Sequence, residues 1–316
     1  MRSMEKHLPI LKQLQGMRGE VPTYVICAGI EPYTWIKVQE SLDASKHDVE
    51  VDIVLNSSGG SPAEAYRMIR AFHEKFDTVN VIIPFWAKSA ATLFAFGADR
   101  LVLHSCGELG PIDAQIRRDD EKSPDEEYSS ALNVQSSIAQ IEKRSREGML
   151  EMFTQLRNQP DSEITKIRRT QLAQMLLDYS AKFYEPLLQK IEPMEMGQMA
   201  RYLDVGRMYA RRILKQYTAT PEADIDNLLY FLVYECPDHG YVVDYHILKS
   251  FLPFVIRADE SPFSAEYHKT LGELSMLLIK ERFPLINGFL NSYLPQPTAA
   301  TMETLTTQGQ SKEQKK

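Results

Sequence analysis

The sequence predicts an α/β protein with a core of βαβ units, a largely parallel sheet and a helical annex, and three observations predict it. Between Thr23 and Ile116, short apolar runs alternate with helix-patterned stretches, the arrangement that feeds a parallel sheet through crossover helices. Within this stretch IVLNSSGG (53–60) carries an apolar strand into a double glycine, and FWAKSAATLF (85–94) sets a serine before a run of small and apolar residues. From about 129 to 217 the apolar positions recur every 3.6 residues instead, as amphipathic helices require.

Taken in order, the strands read as TYVICAG, VDIVLNS, VNVIIPF and RLVLHS, with helices near 33–45, near 62–76 and after Ser89. Pro62 suits the first turn of its helix, where no amide hydrogen is needed, and Ala65, Met68, Ile69 and Phe72 share one face. The glycine pair therefore falls at the carboxyl end of a strand, where open α/β sheets bind ligands. RRDDEKSPDEE (117–127) is charged almost throughout and reads as a solvated loop dividing the sheet core from the helical region. There Ile138, Ile141, Leu150, Phe153, Ile164, Ile167, Met175, Leu176 and Tyr179 mark apolar faces, while KRSRE (143–147) and IRRTQ (167–171) read as solvated ones.

Thr220, Pro221 and Glu222 have the chemistry of an N-cap, an N1 proline and a first-turn acid for a helix through LLYFLVYE. PDHGYVVDYHILKSF (237–251) reads as a turn, a short strand and a small helix capped by Asp244. Residues 262–294 carry further helical pattern, and 296–316 are polar, without aromatics, and expected to be disordered. The expected organisation is an N-terminal segment (1–21), a main domain (22–258) with a helical insertion at about 129–217, a C-terminal helical region (259–295) and the tail.

Composition narrows the function classes. A net charge of −7, with no basic stripe interleaved with aromatics, argues against nucleic acid as a partner. No stretch is long and apolar enough to cross a membrane, and MRSMEKHLPILKQLQG carries charges where a signal peptide needs an apolar run. A cytoplasmic protein without a membrane anchor is expected. Cys27, Cys106 and Cys236 are widely spaced in apolar surroundings, without a CxxC pattern or a histidine cluster, and are expected to be reduced core residues.

Each of the two opening motifs has an ordinary reading when taken alone: SSGG as a turn, and Ser89 as an N-cap. Their combination points to acyl-transfer chemistry. An oxyanion hole needs backbone N–H groups unhindered by side chains, and a serine at a strand-to-helix turn gains from the helix N-terminus. Gly60 and Ala90 are the expected donors, Gly59 and Ser61 the expected substrate contacts, and Ser89 the nucleophile.

NSSGGSPAEA, followed by AKSAATLFAFGADRLVLHSCGELGPIDAQI and by the downstream PDHGYVV, resembles the Clp-protease/crotonase superfold and, within it, the serine dehydrogenase proteinase family. The resemblance covers about 22–258 and is strongest over 51–116. It implies a ClpP/crotonase-like core and a serine peptidase whose triad runs in the order Ser, Asp, His. Carried over residue by residue, those roles fall on Ser89 as nucleophile, Asp113 in GPIDAQI as orienter and His239 in PDHGYVV as base, with Asp238 an alternative orienter.

Gly-Pro before Asp113 and Asp-His-Gly around His239 are also turn sequences. His104, at a strand end, reads as structural, and His73 and His47 as surface residues. A serine/lysine dyad through Lys88 or Lys122, a crotonase-type acyl-CoA enzyme and a catalytically inactive scaffold remain alternatives. The peptidase reading implies a peptide or protein substrate, no metal or organic cofactor, and, from the superfold, a closed homo-oligomer.

Overall fold

All five residues of β1 (Thr23–Cys27) are buried, because Tyr24 and Ile26 join one hydrophobic cluster and Val25 and Cys27 another. A strand apolar on both sides belongs in the middle of a layered sandwich. The computed structural model describes residues 6–45, 48–113, 115–117, 128–130, 132–157, 169–189, 192–281 and 286–293. β1 pairs in parallel with β2 (Asp48–Leu55), β2 with β3 (Phe76–Ile83), β3 with β5 (Arg100–Leu103), and β5 with β9 (Val255–Arg257). On the outer edge of β1 lies β10 (Ile286–Phe289), antiparallel, giving the order β10-β1-β2-β3-β5-β9. The fold is α/β with a mostly parallel sheet, as the alternating pattern predicts.

One face of the sheet is covered by α2 (Pro32–Ala44), α3 (Pro62–Lys75), α4 (Ala90–Ala95) and the apolar side of α7 (Pro193–Tyr217). α3 starts at Pro62 with Ser61 as N-cap, its Oγ accepting the Glu64 N–H at 3.4 Å. Ala65, Met68, Ile69 and Phe72 all face the core. On the opposite face, Leu11 and Leu14 of α1 (His7–Met17) meet Leu271, Leu274 and Leu278 of α10 (Ala265–Lys280) over Val25, Val54, Ile82 and Val102.

The helical region holds α5 (Leu132–Arg157), α6 (Arg169–Leu188) and α7. Among the described residues α7 joins the core through Leu203, Ala210, Ile213 and Leu214, packing on α3 and α4. α5 is preceded by a short hairpin of β7 (Gln115–Arg117) and β8 (Tyr128–Ser130). The charged stretch, apart from Arg117 in β7, lies outside the described residues, as do Lys122, His47, Ile164, Ile167 and the tail from 294.

Several local expectations change. α8 spans Glu222–Tyr230, one residue later than expected, and Thr220 does not cap it: its Oγ1 accepts a hydrogen bond from Thr218 Oγ1 at 2.9 Å. The helix then widens into a π-helical turn at Phe231–Glu235. Asp244 caps α9 (Tyr245–Phe251) as expected, its Oδ1 accepting the Ile247 N–H at 3.0 Å. Within 262–294, however, Ile286–Phe289 is a strand; four residues are too few to show an alternating pattern in sequence. Cys27 is buried, but Cys106 is exposed on the turn after β5 and Cys236 is half-buried. His73 is half-buried rather than on the surface, bonded to Gly97 O at 2.7 Å and stacked on Tyr217. Among the described residues no helix is long and apolar enough to cross a membrane.

Candidate active site

The two glycine- and serine-bearing segments meet because the chain leaving β2 is bridged to a short strand of a separate two-stranded sheet that precedes Ser89. After β2 the chain runs beside β4 (Trp86–Ala87): Ser57 N–H donates to Trp86 O at 3.1 Å and Lys88 N–H to Ser57 O at 3.0 Å. The Trp86 N–H donates to Asn56 Oδ1 at 3.2 Å. This pairing lays Gly59 against the turn at Ser89 so closely that a Cβ on Gly59 would stand 2.6 Å from Lys88 O and 2.8 Å from Ser89 Cβ. Gly59 and Gly60 also hold φ of 103° and 143°, conformations that side chains resist.

Ser89 lies between β4 and α4 with φ 51° and ψ −120°. A non-glycine residue in this region costs on the order of 1–3 kcal/mol, and such strain concentrates at functional turns. The sharp strand-to-helix turn is the geometry that lifts a nucleophilic serine clear of its sheet. Ser89 occupies the N-cap position, yet its side chain makes no capping bond, so the ordinary reading of this serine fails.

Nearby amides divide into used and unused. Gly59 N–H donates to Ser57 Oγ at 3.1 Å, while Gly59 O accepts from Ile30 N–H at 2.7 Å. Ser61 N–H donates to Ile30 O at 2.8 Å and its hydroxyl caps α3. The amides of Gly60 and Ala90 are engaged by none of the hydrogen bonds among the described residues. Ala90 opens α4, where an unpaired N–H is intrinsic to the helix end.

Asp113 and His239 stand 126 residues apart in sequence, yet His239 Nδ1 is 2.6 Å from Asp113 Oδ1. Their segments are brought together by an isolated bridge and single backbone bonds. β6 (Glu108–Leu109) pairs in parallel with β4, placing Leu109 beside Ala87, and Leu109 pairs antiparallel with Val243. Just before Val243 the partner segment folds into a turn, Tyr241 N–H donating to Asp238 O at 3.2 Å, and this turn carries His239. A further bond, Ile112 N–H to Leu232 O at 3.2 Å, ties the Asp113 segment to the π-helical turn. Asp113 is buried and the imidazole half-buried. Since a carboxylate only accepts, the proton of this bond sits on Nδ1, leaving Nε2 as the basic nitrogen.

The remaining candidates are placed elsewhere. Asp238 is exposed. His104 sits 2.9 Å from Cys106 Sγ and packs on the His268 ring, and burial, then the nearby His268 and Arg257 charges, pushes its imidazole down to about 4. Lys88 is buried and its ammonium is fully engaged, a feature that the sequence reading missed beyond weighing it as a base. Its Nζ lies 2.6 Å from Glu108 Oε1 and donates to the carbonyls of Leu109, Tyr241 and Gly240 at 3.2, 3.3 and 3.5 Å.

Residues 24–166 match the family of ClpP-like SDH-type serine proteinases, which bears out the resemblance read from the motifs. The match takes in Gly60, Ser89 and Asp113 and ends before His239. Two proteins of Methanocaldococcus jannaschii are similar over part of their length. The uncharacterized protein MJ0137 is 27% identical over 122 residues, covering 34% of this chain and 43% of its own. The uncharacterized protein MJ1495 is 25% identical over 127 residues, covering 35% of this chain and 42% of its own. The chain thus spans less than half the length of either relative.

Proposed function

Taking the match of residues 24–166 to the ClpP-like SDH-type serine proteinases as premise, we propose that the protein is a serine peptidase working through Ser89, His239 and Asp113. The observation that carries this reading is the turn at Ser89: a strained, uncapped serine with two unspent amides, Gly60 and Ala90, beside it. In the proposed reaction His239 Nε2 takes the Ser89 hydroxyl proton as Oγ attacks the peptide carbonyl. The carbonyl oxygen becomes an oxyanion held by the Gly60 and Ala90 N–H groups. Asp113 keeps the imidazole in the Nδ1–H tautomer and balances the imidazolium. The imidazolium then protonates the leaving amine, and water, deprotonated by the same nitrogen, releases the acyl group.

The lysine alternative is less well supported, because a general base needs a free lone pair. The Lys88 Nζ is instead committed to the Glu108 carboxylate and to backbone carbonyls. The test is fluorophosphonate labelling of the wild type and of Ser89→Ala. Labelling of the wild type that disappears in the variant, with an unchanged melting temperature, is expected; equal labelling of both sinks the proposal.

A closed homo-oligomer belongs to the same reading. Leu150 of α5, Met175 of α6, and Met194 and Met208 of α7 expose apolar surface, which a neighbouring copy would cover. Light scattering coupled to size exclusion tests it: an active species that stays near 36.2 kDa at micromolar concentration rules out obligatory assembly.

A further inference from the structure

We propose that Lys88 is a positioning residue whose ammonium locks the segments of the nucleophile, the acid and the base into one register. The proposal rests on the triad reading above, which names the three segments. Lys88 immediately precedes Ser89, and its side chain crosses to the other two. One contact goes to Leu109 O on the strand that leads to Asp113, and the others go to Gly240 O and Tyr241 O, just beyond His239. Glu108 Oε1, at 2.6 Å, neutralises the charge. Three protons thus serve acceptors on two different segments besides the carboxylate, and the Tyr241 and Gly240 contacts share one of them.

The surrounding chain is shaped to this lysine. A Cβ on Gly110 would stand 2.4 Å from Lys88 Cδ, so any larger residue there would push the lysine stem out of its present path. A second tie runs parallel to it: Thr92 Oγ1 accepts the Gly110 N–H at 3.2 Å and shares its own proton between Ala87 O and Gly110 O, at 2.9 and 3.0 Å. Lys88 is only 7% exposed. Burying an ammonium has a desolvation cost that an apolar side chain of the same length avoids, so stability alone does not call for lysine here. What methionine cannot do is bond to backbone carbonyls of two segments at once. The base enters from a segment with few ladder bonds of its own, since Val243 makes a single bridge. An error of about 1 Å in the placement of a catalytic group is enough to cost on the order of a hundredfold in rate.

The experiment compares wild type, Lys88→Met and Lys88→Arg in the full chain by two readouts. One is peptide turnover and the rate of fluorophosphonate labelling. The other is the downfield NMR resonance of the His239 Nδ1–H bonded to Asp113. Lys88→Met is expected to lower kcat and labelling about 10- to 100-fold at nearly constant KM, with the downfield resonance broadened away. Lys88→Arg, which keeps the charge and donors but has no accessible lone pair, is expected to recover most of both. Wild-type labelling and an intact resonance in Lys88→Met would overturn the proposal. So would a folded Lys88→Arg as inactive as the methionine variant, which would make the amine itself the base. If Lys88→Met fails to fold, Glu108→Gln releases the ammonium without touching the nucleophile's turn; a partial loss of labelling and resonance supports the clamp and wild-type behaviour refutes it. Failure of the peptidase reading looks different, because Ser89→Ala then labels like wild type while the resonance still decides the role of Lys88.

Discussion

The nucleophile's half of the site and the base's half are built in opposite ways. Residues 53–95 form one continuous run whose strands and short helix α4 are largely buried and whose parts are tied to one another and to the neighbouring chain: Ser57 to Trp86 and Lys88, Gly59 to Ile30, Ser61 to α3. Asp113 and His239 come instead from distant segments and depend on one bridge between Leu109 and Val243, the Ile112 to Leu232 bond and the reach of Lys88. A local frame holds a strained serine through its neighbours in sequence. A base supplied from afar needs explicit ties.

The strongest way to break this contrast is to remove the distant pair. His239→Ala and Asp113→Ala should each lower turnover by about a thousandfold or more, and either change combined with Ser89→Ala should cost almost nothing further, because members of one catalytic unit are non-additive. Single-turnover kinetics of the three single and two double variants measure this. Additive losses would mean that the halves act independently. Next in size, Gly60→Ala places a Cβ 2.4 Å from Ile30 O, which must shift the amide; a loss of roughly a hundredfold in kcat with little change in KM is expected for one damaged oxyanion donor. An unaltered kcat would remove Gly60 from the site.

Gly59→Ala sharpens the comparison through stability. Its φ of 103° and the contacts at 2.6 and 2.8 Å should destabilise the fold by about 1–3 kcal/mol, read from urea midpoints, whereas Gly240→Ala in the base's half should cost less. The reverse order would contradict the rigid-frame description. The smallest effect concerns His104, which belongs to neither half. Its folded value is pushed down to about 4 from an ordinary 6.5, so between those values the unfolded chain binds more protons than the folded one. The stabilising contribution is therefore fully present above about 6.5 and is lost as pH falls toward 4. His104→Gln should flatten the decline of the urea midpoint over that window; an unchanged slope would refute it.

Legibility in sequence followed the same division. The strands around Ile53, Val81 and Val102 are buried on both faces and so read as plain apolar runs, and Pro62 announced the first turn of α3, although Ser61, expected as a substrate contact, proved to be its cap. Gly59, Gly60 and Ser89 were legible because their φ values demand either glycine or unusual support. The pairing of Asp113 with His239 has no local signal, since both sit in turn-like sequences and only contacts between distant segments, such as the bridge of Leu109 with Val243, bring them together; the family resemblance, not the spacing, pointed there. β9 and β10 are too short to show a period, and α1 lies in a charged segment whose apolar residues, Leu11 and Leu14, meet α10 only in three dimensions. The role of Lys88 was hidden because a lysine's partners cannot be read from its neighbours, although Gly110 in GELGP was a trace of it.

The bond from Ile112 N–H to Leu232 O has a topological consequence. It joins the two points where the chain leaves the sheet region after GPI and re-enters it before Cys236, making everything between them a closed detour. The separation of acid and base depends on that stitch, the Leu109–Val243 bridge and the Lys88 contacts rather than on the length of the detour. Its outer portion, α5 and α6, can therefore lengthen, shorten or exchange its surface without re-aiming the imidazole, while α7, rooted by Ile213 and Leu214, cannot. The detour is thus free to diversify at its tip and constrained at its base, where α7 and α8 join the core.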